Sequence, residues 1–322
     1  MSETRFVAPI AWIAHEESSR QILETAQKVA SAATTLLITG ESGSGKDHLA
    51  RLIHELGARH DAPFLKIDCA SLPHELVESE LFGHERGAFT GAVERKLGRL
   101  EMAYGGTIVL DEVAALTPAI QSKLMRVLEE RTFERLGGNE TLQLDARLIA
   151  LTNADLPQLI AASAFREDLY FRLNVVNIAL PPLRERRADI LPLAENLLSR
   201  LAPLHARNAI AFADDARHSL ESYAWPGNIR ELKNVIERAL VFGKGDTITA
   251  ADLPENVRVS SSSHSASARL QSLEDVERQV IVATLEATHY KITKAAEILG
   301  ISRKTLLDKR KRYGLISTQP PS

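Results

Sequence analysis

The feature that most constrains this chain is a glycine-rich segment, Gly40-Glu-Ser-Gly-Ser-Gly-Lys46. The apolar run before it, Thr35–Thr39, predicts a buried strand, and the pattern after it, Asp47–Arg59, predicts a helix. A loop in this position presents backbone N–H groups and a helix N-terminus to a phosphate, and Lys46 reaches the outer phosphates. The alternative is an ordinary glycine-rich turn, but the strand–loop–helix context favours the phosphate-binding loop.

Further short apolar runs alternate with helical patterns along the first half of the chain. They predict three more strands, Phe64–Ile67, Thr107–Leu110 and Arg147–Leu151, with helices such as Pro118–Arg131 between them. This alternation indicates the α/β fold class, with a parallel sheet and flanking helices. From Asp189 onward the pattern is mostly helical, and the predicted helices are Ile190–Leu201, Asp214–Tyr223 and Ile229–Phe242.

Composition narrows the class of protein. A length of 322 residues suggests about two domains, and 44% apolar with 25% charged residues is ordinary for a folded globular chain. The net charge of −3 excludes a uniformly basic surface but allows a local basic patch. The single cysteine, Cys69, excludes an intramolecular disulfide and fits a reducing compartment. Because no window approaches about 18 consecutive apolar residues, we expect no membrane insertion and a cytoplasmic protein.

Acidic residues follow the predicted strand Thr107–Leu110. Asp111 and Glu112 would lie at the carboxyl edge of the sheet, where ligands bind in folds of this class. There Asp111 would hold Mg²⁺ through water, and Glu112 would polarise the attacking water. Asp47 stands where the general loop motif has Ser or Thr, so it would add a second carboxylate near the metal.

Pattern alone does not decide the roles of several other polar residues. Thr152 and Asn153 end the fourth predicted strand and could bind the γ-phosphate or the attacking water, or could simply begin a loop. Arg166 and Arg172 could serve the γ-phosphate of a neighbouring subunit, or could be solvated helix charges. Arg230 lies in the first turn of a predicted helix.

One six-residue segment is highly specific. In Gly87-Ala-Phe-Thr-Gly-Ala92, two glycines and small residues surround one phenylalanine, which suggests a mobile loop with an exposed apolar tip; a buried turn is the alternative. The segment matches the GAFTGA loop of bacterial enhancer-binding proteins, the activators of sigma-54 RNA polymerase. About residues 10–250 resemble the AAA+ module of that family, including the motifs Pro181–Arg186 and Trp225–Leu232.

The resemblance implies an ATPase that uses ATP and Mg²⁺ and forms a hexameric ring with ATP between subunits. It implies that Arg172 is the arginine finger with Arg166 as its helper, that Thr152 and Asn153 are sensor I, and that Arg230 is sensor II. It also implies that Asp111 and Asp47 serve the metal. The residues implied to bind nucleotide in the loop are Gly40, Glu41, Ser42, Gly43, Ser44, Gly45, Lys46 and Asp47, and those implied to contact sigma-54 are Gly87, Ala88, Phe89, Thr90, Gly91 and Ala92.

Asp68 departs from the family pattern, in which an asparagine often precedes the cysteine and holds the catalytic glutamate between turnovers. An ionised Asp68 near Glu112 would repel that carboxylate. We therefore expect either that one of the two groups is protonated or that the contact runs through water.

The C-terminal part has a different composition. Ser260–Ser267 has almost nothing to bury and predicts a flexible linker. After an amphipathic pattern over Leu273–Thr288, a short helical stretch, a turn at Gly300 and a helix capped by Ser302 predict a helix-turn-helix. Residues 303–312 carry six basic residues and one acidic residue, a net of +5, which suits DNA phosphates, although a solvated basic helix is the alternative.

This segment resembles the Fis-type DNA-binding domain that ends most enhancer-binding proteins, which implies dimers on a dyad-symmetric, double-stranded enhancer. Arg303 and Thr305 are candidate base readers, while 309–312 would meet phosphates. The DNA-binding candidates are Thr293, Lys294, Ser302, Arg303, Lys304, Thr305, Lys309, Arg310, Lys311 and Arg312. The domains predicted are an α/β subdomain over 1–180, a helical lid over 181–257, a linker over 258–272 and a helix-turn-helix domain over 273–322.

Three functions remain at this point. The first is an ATP-driven activator of sigma-54 polymerase. The second is a DNA-binding repressor with a vestigial ATPase module, and the third is another AAA+ remodeller. The intact motifs and the basic C-terminal segment favour the first. Because the ATPase motifs begin close to Met1, we also expect control by a separate regulatory protein.

Overall fold

The computed structural model describes residues 12–207, 210–243 and 245–258, and, nearer the C-terminus, 277–278, 280–282, 284–285, 288, 290–313 and 315. Internal contacts divide the chain into two compact units, Met1–Ser261 and Ser262–Ser322. No helix in the described ranges is long and apolar enough to cross a membrane. The predicted linker Ser260–Ser267 and half of the residues of the predicted helix Leu273–Thr288 lie outside the described residues.

The first unit contains a parallel sheet and its flanking helices, as the sequence predicts. Its strands are β1 (Leu36–Gly40), β2 (Phe64–Asp68), β3 (Gly83–His84), β4 (Lys96–Leu97), β5 (Thr107–Asp111), β6 (Thr132–Phe133), β7 (Leu142–Gln143), β8 (Arg147–Thr152), β9 (Val176–Leu180), β10 (Ala211–Phe212) and β11 (Thr247–Ile248). Its helices are α1 (Glu17–Ala30), α2 (Lys46–Glu55), α3 (His74–Phe82), α4 (Arg99–Met102), α5 (Pro118–Glu130), α6 (Leu156–Ala161), α7 (Glu167–Leu173), α8 (Ile190–Leu201), α9 (Asp214–Ser222) and α10 (Asn228–Phe242).

The main sheet has five parallel strands in the order β2-β5-β8-β1-β9. The four predicted strands form its first four positions, which confirms the α/β prediction. The fifth strand, β9, was not predicted, although the alternation of apolar residues in Val176–Leu180 carries a strand signal. Among the described strands it pairs only with β1, where Ile178 lies opposite Ile38, so it is an edge strand with a weaker apolar run.

Both faces of the sheet are covered, which explains the nearly continuous apolar strands. Leu37 and Leu110 face a core shared with α3, α5 and α7, whereas Ile38 and Val109 face a core shared with α1 and α2. Because all five strands run in one direction, their carboxyl ends meet at a single edge. Gly40, Asp68, Asp111 and Thr152 are the last residues of four of them.

The helical lid, built from α8, α9 and α10, has its own core and is joined to the sheet unit. Trp225 is fully buried in that core and donates from Nε1 to the carbonyl of Leu220 at 2.8 Å. Asp189, just before α8, is also fully buried and accepts the backbone N–H groups of His15 (2.6 Å) and Glu16 (2.8 Å). Its carboxylate thereby satisfies donors at the N-terminus of α1, where the N-cap residue Glu16 makes no side-chain capping hydrogen bond.

The second unit contains the predicted helix-turn-helix, formed by α11 (Ile292–Ile298) and α12 (Arg303–Arg312). Gly300 supplies the left-handed turn at φ 64°, and Ser302 Oγ accepts the N–H of Thr305 at 3.1 Å, which confirms the predicted cap. Ala295 is fully buried beside Leu306, so small side chains let the helices approach closely.

We expect Ala295→Leu to disrupt this unit, because three added heavy side-chain atoms have no space between α11 and α12 and overpacking costs about 1–3 kcal/mol. The measurements are thermal unfolding and helix content, both by circular dichroism. Glu297→Leu, on the exposed face of α11, is the control and should leave both unchanged. An unaltered Ala295→Leu protein would contradict this packing.

Candidate functional site

The glycine-rich loop joins the end of β1 at Gly40 to the start of α2 at Lys46. Gly43 (φ 77°) and Gly45 (φ 106°) hold left-handed backbone conformations that glycine adopts readily. The Lys46 ammonium lies under the loop, where Nζ donates to the carbonyls of Gly40 (2.9 Å) and Glu41 (3.3 Å). Burial lowers the pKa of Lys46, although Glu112 and Asp111 oppose that shift.

The lid holds the carbonyl groups of three consecutive loop residues. Asn228 Nδ2 donates to the carbonyl of Ser42 at 3.1 Å, and the backbone N–H of Ile229 donates to that of Gly43 at 3.0 Å. The buried guanidinium of Arg186 donates to the carbonyl of Ser44 at 2.5 Å. The loop backbone is therefore fixed from the lid side.

This arrangement decides which loop groups are available to a phosphate. A trans peptide places its C=O and N–H on opposite sides, so carbonyls bound to the lid direct the next N–H groups away from it. Within the described residues, the N–H groups of Gly43 and Gly45 donate to no acceptor. Together with the Lys46 ammonium they form the kind of donor set that binds phosphate oxygens.

Glu41 forms a second connection between the loop and the lid. Its carboxylate accepts two hydrogen bonds from Arg184, at 2.9 and 2.6 Å, and one from Asn228 at 3.0 Å. The bonds from Arg184 and Asn228 lower the pKa of Glu41 to about 2. Asn228 also accepts the N–H of Leu183 at 2.7 Å, so its side chain ties the loop to the segment that enters the lid.

The predicted catalytic carboxylate is positioned beside the loop. Glu112 has an unusual left-handed backbone conformation (φ 51°), and its Oε2 accepts the N–H of Asn153 at 3.1 Å. Its Oε1 lies 3.8 Å from Lys46 Nζ. The structure thus brings together Lys46, Glu112 and the end of β8, as predicted from sequence.

Two carboxylates beside them fit a Mg²⁺ ion. Asp47 Oδ1 and Asp111 Oδ2 both bind one ammonium, Lys66 Nζ, at 2.5 and 2.7 Å, so a cationic group already lies between them. Carboxylate oxygens are preferred Mg²⁺ ligands, and Mg²⁺ commonly uses one or two of them with phosphate and water. Among the described residues, no group of three or more His, Cys, Asp or Glu side chains is placed to hold a metal ion. A Mg²⁺ ion at Asp47 and Asp111 would therefore need further ligands from phosphate and water.

The remaining nucleotide candidates fall into two groups. Thr152, buried at the end of β8, accepts the N–H of Ala154, and Arg230 donates to Ser42 Oγ at 2.7 Å, so both adjoin the loop region. Arg166 instead binds Asp168 and Ser122, and Arg172 binds the carbonyl of Leu128 at 2.9 Å. These two exposed arginines therefore lie on the α5–α7 surface, and their action on a neighbouring subunit stays a prediction.

Asp68 has backbone partners. Its Oδ1 accepts the N–H groups of Ala70 at 3.0 Å and Ser71 at 3.1 Å, which closes a local turn after β2. An asparagine oxygen could accept the same two bonds. The expected protonated or water-mediated contact with Glu112 stays a prediction.

The loop Gly87–Ala92 forms a tight, closed structure. The N–H of Gly87 donates to the carbonyl of Ala92 at 2.8 Å, and that of Ala92 donates to Phe89 at 3.0 Å. Ala92 is buried, whereas Phe89 is 43% exposed, with its ring packed edge-on against His84 at 4.9 Å between centroids. The loop presents one partly exposed aromatic side chain.

A neighbouring hairpin, β6–β7, supports this loop, and the sequence analysis did not identify it. The buried guanidinium of Arg135 binds Glu101 (2.7 Å), Glu85 (2.9 Å) and Glu140 (2.6 Å), which raises the pKa of Arg135. Glu85 lies two residues before the loop, and its N–H binds the carbonyl of Leu136 at 3.0 Å. Pattern reasoning also missed Lys66, Arg184, Arg186 and Asn228, although the last three lie inside motifs that it had noted.

The candidate DNA-binding side chains differ in exposure. Those on the exposed side of the second unit are Thr293, Lys294, Ser302, Arg303, Lys304, Thr305, Lys311 and Arg312. Lys309 pairs with Glu277 at 2.5 Å, and Arg310 donates to the carbonyl of Leu315 at 3.2 Å. Lys309 and Arg310 are thus held partly by their own unit.

The contact between loop and lid can be tested at Gly43. A Cβ added there would lie 2.5 Å from the carbonyl oxygen of Gly227, so we expect Gly43→Ala to push the lid off the loop and to weaken nucleotide affinity at least about tenfold. Gly105→Ala is the matched control, because Gly105 has a similar φ of 74° but no atoms within 4 Å of the added Cβ. Equal nucleotide affinity in both variants, measured by fluorescence titration, would contradict this role of the lid.

Comparison with known proteins gives three family matches that follow one another along the chain. Residues 12–179 match the sigma-54 interaction domain, residues 184–270 match the AAA+ ATPase lid domain, and residues 272–313 match the Fis family of bacterial regulatory proteins.

Similar proteins are transcriptional regulators. ZraR of Salmonella typhimurium is 45% identical over 305 residues, which cover 95% of this chain and 69% of that protein. AlgB, an alginate biosynthesis regulator of Pseudomonas aeruginosa, is 46% identical over 301 residues, with coverage of 94% and 67%. The crystal structure of NtrX from Brucella abortus in complex with ADP superposes with a TM-score of 0.72 at 34% identity, covering 95% of this chain and 70% of that one. The chain therefore belongs to the family of sigma-54-dependent transcriptional regulators, with an AAA+ module and a Fis-type helix-turn-helix.

Proposed function

We propose that this protein is an ATP-dependent activator that binds upstream enhancer DNA and remodels the closed promoter complex of sigma-54 RNA polymerase. One observation carries the proposal: a phosphate-binding loop, with Lys46 and a positioned Glu112 beside it, lies in the same unit as a loop with a partly exposed Phe89. A cytoplasmic location is part of this proposal, because the polymerase and the DNA are found there.

The chemistry follows from the donors and acceptors at the sheet edge. The N–H groups of Gly43 and Gly45 and the ammonium of Lys46 bind and orient the phosphates. Glu112 accepts a hydrogen bond from the attacking water and draws that proton toward its carboxylate, which makes the water oxygen a better nucleophile. The N–H of Asn153 fixes the second oxygen of Glu112, so the carboxylate is positioned before the substrate arrives. Asp111 and Asp47, with water, would hold Mg²⁺, which would supply positive charge near the phosphate oxygens when bound.

A ring oligomer, for which six subunits is the family expectation, explains the position of the two arginines. Arg166 and Arg172 are exposed and bonded to α5 and α7, so each would act on nucleotide held by an adjacent subunit. In our proposal each active site is complete only where two subunits meet. Dimers formed through the second unit would place two copies of α12 on a dyad-symmetric DNA site. Control by a separate regulatory protein stays a prediction.

Two other functions are less well supported. A repressor with a vestigial ATPase module would not need the hydrogen bond that positions Glu112 or the lid contacts that orient the loop. A remodeller of another substrate would not need a basic, exposed α12 or the GAFTGA segment.

The proposal is tested by replacing the loop lysine. We expect Lys46→Ala to lower ATPase activity at least about a hundredfold and to abolish open-complex formation at a sigma-54 promoter, because the ammonium that binds the outer phosphates is lost. Lys28→Ala, an exposed lysine on α1, is the control and should behave as the unaltered protein. Promoter opening by Lys46→Ala, or activation of a sigma-70 promoter instead, would refute the proposal.

The role of the loop is tested at its aromatic tip. Phe89→Ala should keep ATPase activity within about twofold, since Phe89 touches His84 and not the nucleotide site, but should lose sigma-54 binding and promoter opening. Tyr104→Ala removes another exposed aromatic ring outside the loop and should retain both. Full promoter opening by Phe89→Ala would contradict a contact made by this side chain.

A further inference from the structure

Lys66 lies at the nucleotide site but has no part in the chemistry proposed above. It is the third residue of β2, and its side chain points toward the same face of the sheet as Asp111. Its ammonium binds Asp111 Oδ2 at 2.7 Å and Asp47 Oδ1 at 2.5 Å, so one cation joins two carboxylates that come from different elements.

The two lysines of the site have separate tasks. The Lys46 ammonium binds the carbonyls of Gly40 and Glu41 and lies 3.8 Å from Glu112. The Lys66 ammonium binds the two carboxylates to which we assign Mg²⁺. Both contacts are ion pairs in which the Lys66 ammonium donates to a carboxylate, so Lys66 places a positive charge between Asp47 and Asp111.

A positive charge in that position opposes a second cation. Two unit charges about 4 Å apart interact strongly near a protein surface, and a divalent ion doubles the effect. Lys66 binds carboxylate oxygens of Asp111 and Asp47. Mg²⁺ would need the same oxygens as ligands, directly or through water. Lys66 is 36% exposed on its side chain and Asp47 is 53% exposed, so the ammonium has a path into solvent.

We propose that Lys66 is an internal competitor of Mg²⁺: it neutralises Asp47 and Asp111 in the absence of nucleotide and must leave at least one of them when Mg²⁺ and nucleotide bind. The inference rests on the proposed Mg²⁺-dependent ATPase function. In this account Lys66 is a positioning residue that sets the Mg²⁺ concentration at which the site fills. It also keeps two adjacent carboxylates from repelling each other while the site is empty.

The test is the Mg²⁺ dependence of nucleotide binding, which does not require turnover. A fluorescent ADP analogue is mixed with the full chain, free Mg²⁺ is raised in buffered steps, and the midpoint of the anisotropy change is recorded. Lys66→Met should lower the midpoint about three- to tenfold, because the competing charge is gone. Lys66→Gln serves as a second uncharged variant, and Lys66→Arg, which keeps the charge, should retain the midpoint of the unaltered protein within about twofold.

Lys123→Met is the matched control for net charge, since Lys123 is half exposed and pairs with Glu78 on α3, outside this site. It should leave the midpoint unchanged. A midpoint that stays the same or rises in both Lys66→Met and Lys66→Gln, while the unaltered protein responds to Mg²⁺, would overturn the role of Lys66 and leave the proposed function intact. An unaltered protein whose nucleotide binding ignores Mg²⁺ would overturn both this inference and the metal assignment on which it rests.

Discussion

The rest of the site depends on the hydrogen bonds that the lid and the segment leading into it make to the phosphate-binding loop. Three successive carbonyls, those of Ser42, Gly43 and Ser44, accept hydrogen bonds from the lid and from the segment that enters it. Because peptide groups are planar, these hydrogen bonds also fix the direction of the N–H groups that would bind a phosphate. Nucleotide and lid therefore act on opposite sides of one backbone segment. Binding or release of a phosphate would therefore affect the lid directly, through the loop backbone that both contact.

The same unit carries a second rigid support at the GAFTGA loop. The buried Arg135 guanidinium forms ion pairs with Glu85, Glu101 and Glu140. Because Glu85 lies just before the loop and Arg135 lies in the β6–β7 hairpin, these pairs connect the loop to the hairpin. Arg135 itself is buried, so loss of its glutamate partners would leave an uncompensated charge in the interior. The loop itself is small, and Gly137 approaches Ala88 so closely that an added Cβ would lie 2.8 Å from the Ala88 Cβ. A base held by these contacts, with one partly exposed aromatic side chain at the tip, fits the contact with sigma-54 that we propose for this loop.

Sequence reasoning identified the elements that local chemistry specifies. The apolar runs predicted four of the five sheet strands, the Gly40–Lys46 motif predicted the loop between β1 and α2, and Ser302 predicted the start of α12. Contacts between residues distant in sequence could not be predicted from local patterns. Neither the pairing of Arg184 with Glu41, across 143 positions, nor the bridging position of Lys66 has a local signature. The edge strand β9 was missed because its apolar run is interrupted by Asn177, where only alternation remains as a signal.

The central claim is that hydrolysis, and not binding alone, drives the remodelling of the sigma-54 promoter complex. The most direct measurement is permanganate footprinting of unpaired thymines on a supercoiled sigma-54 promoter, with polymerase and the full chain present. The account predicts melted promoter DNA with ATP and Mg²⁺, and none with a non-hydrolysable ATP analogue at saturating concentration. Equal melting with the analogue, or melting without nucleotide, would contradict it.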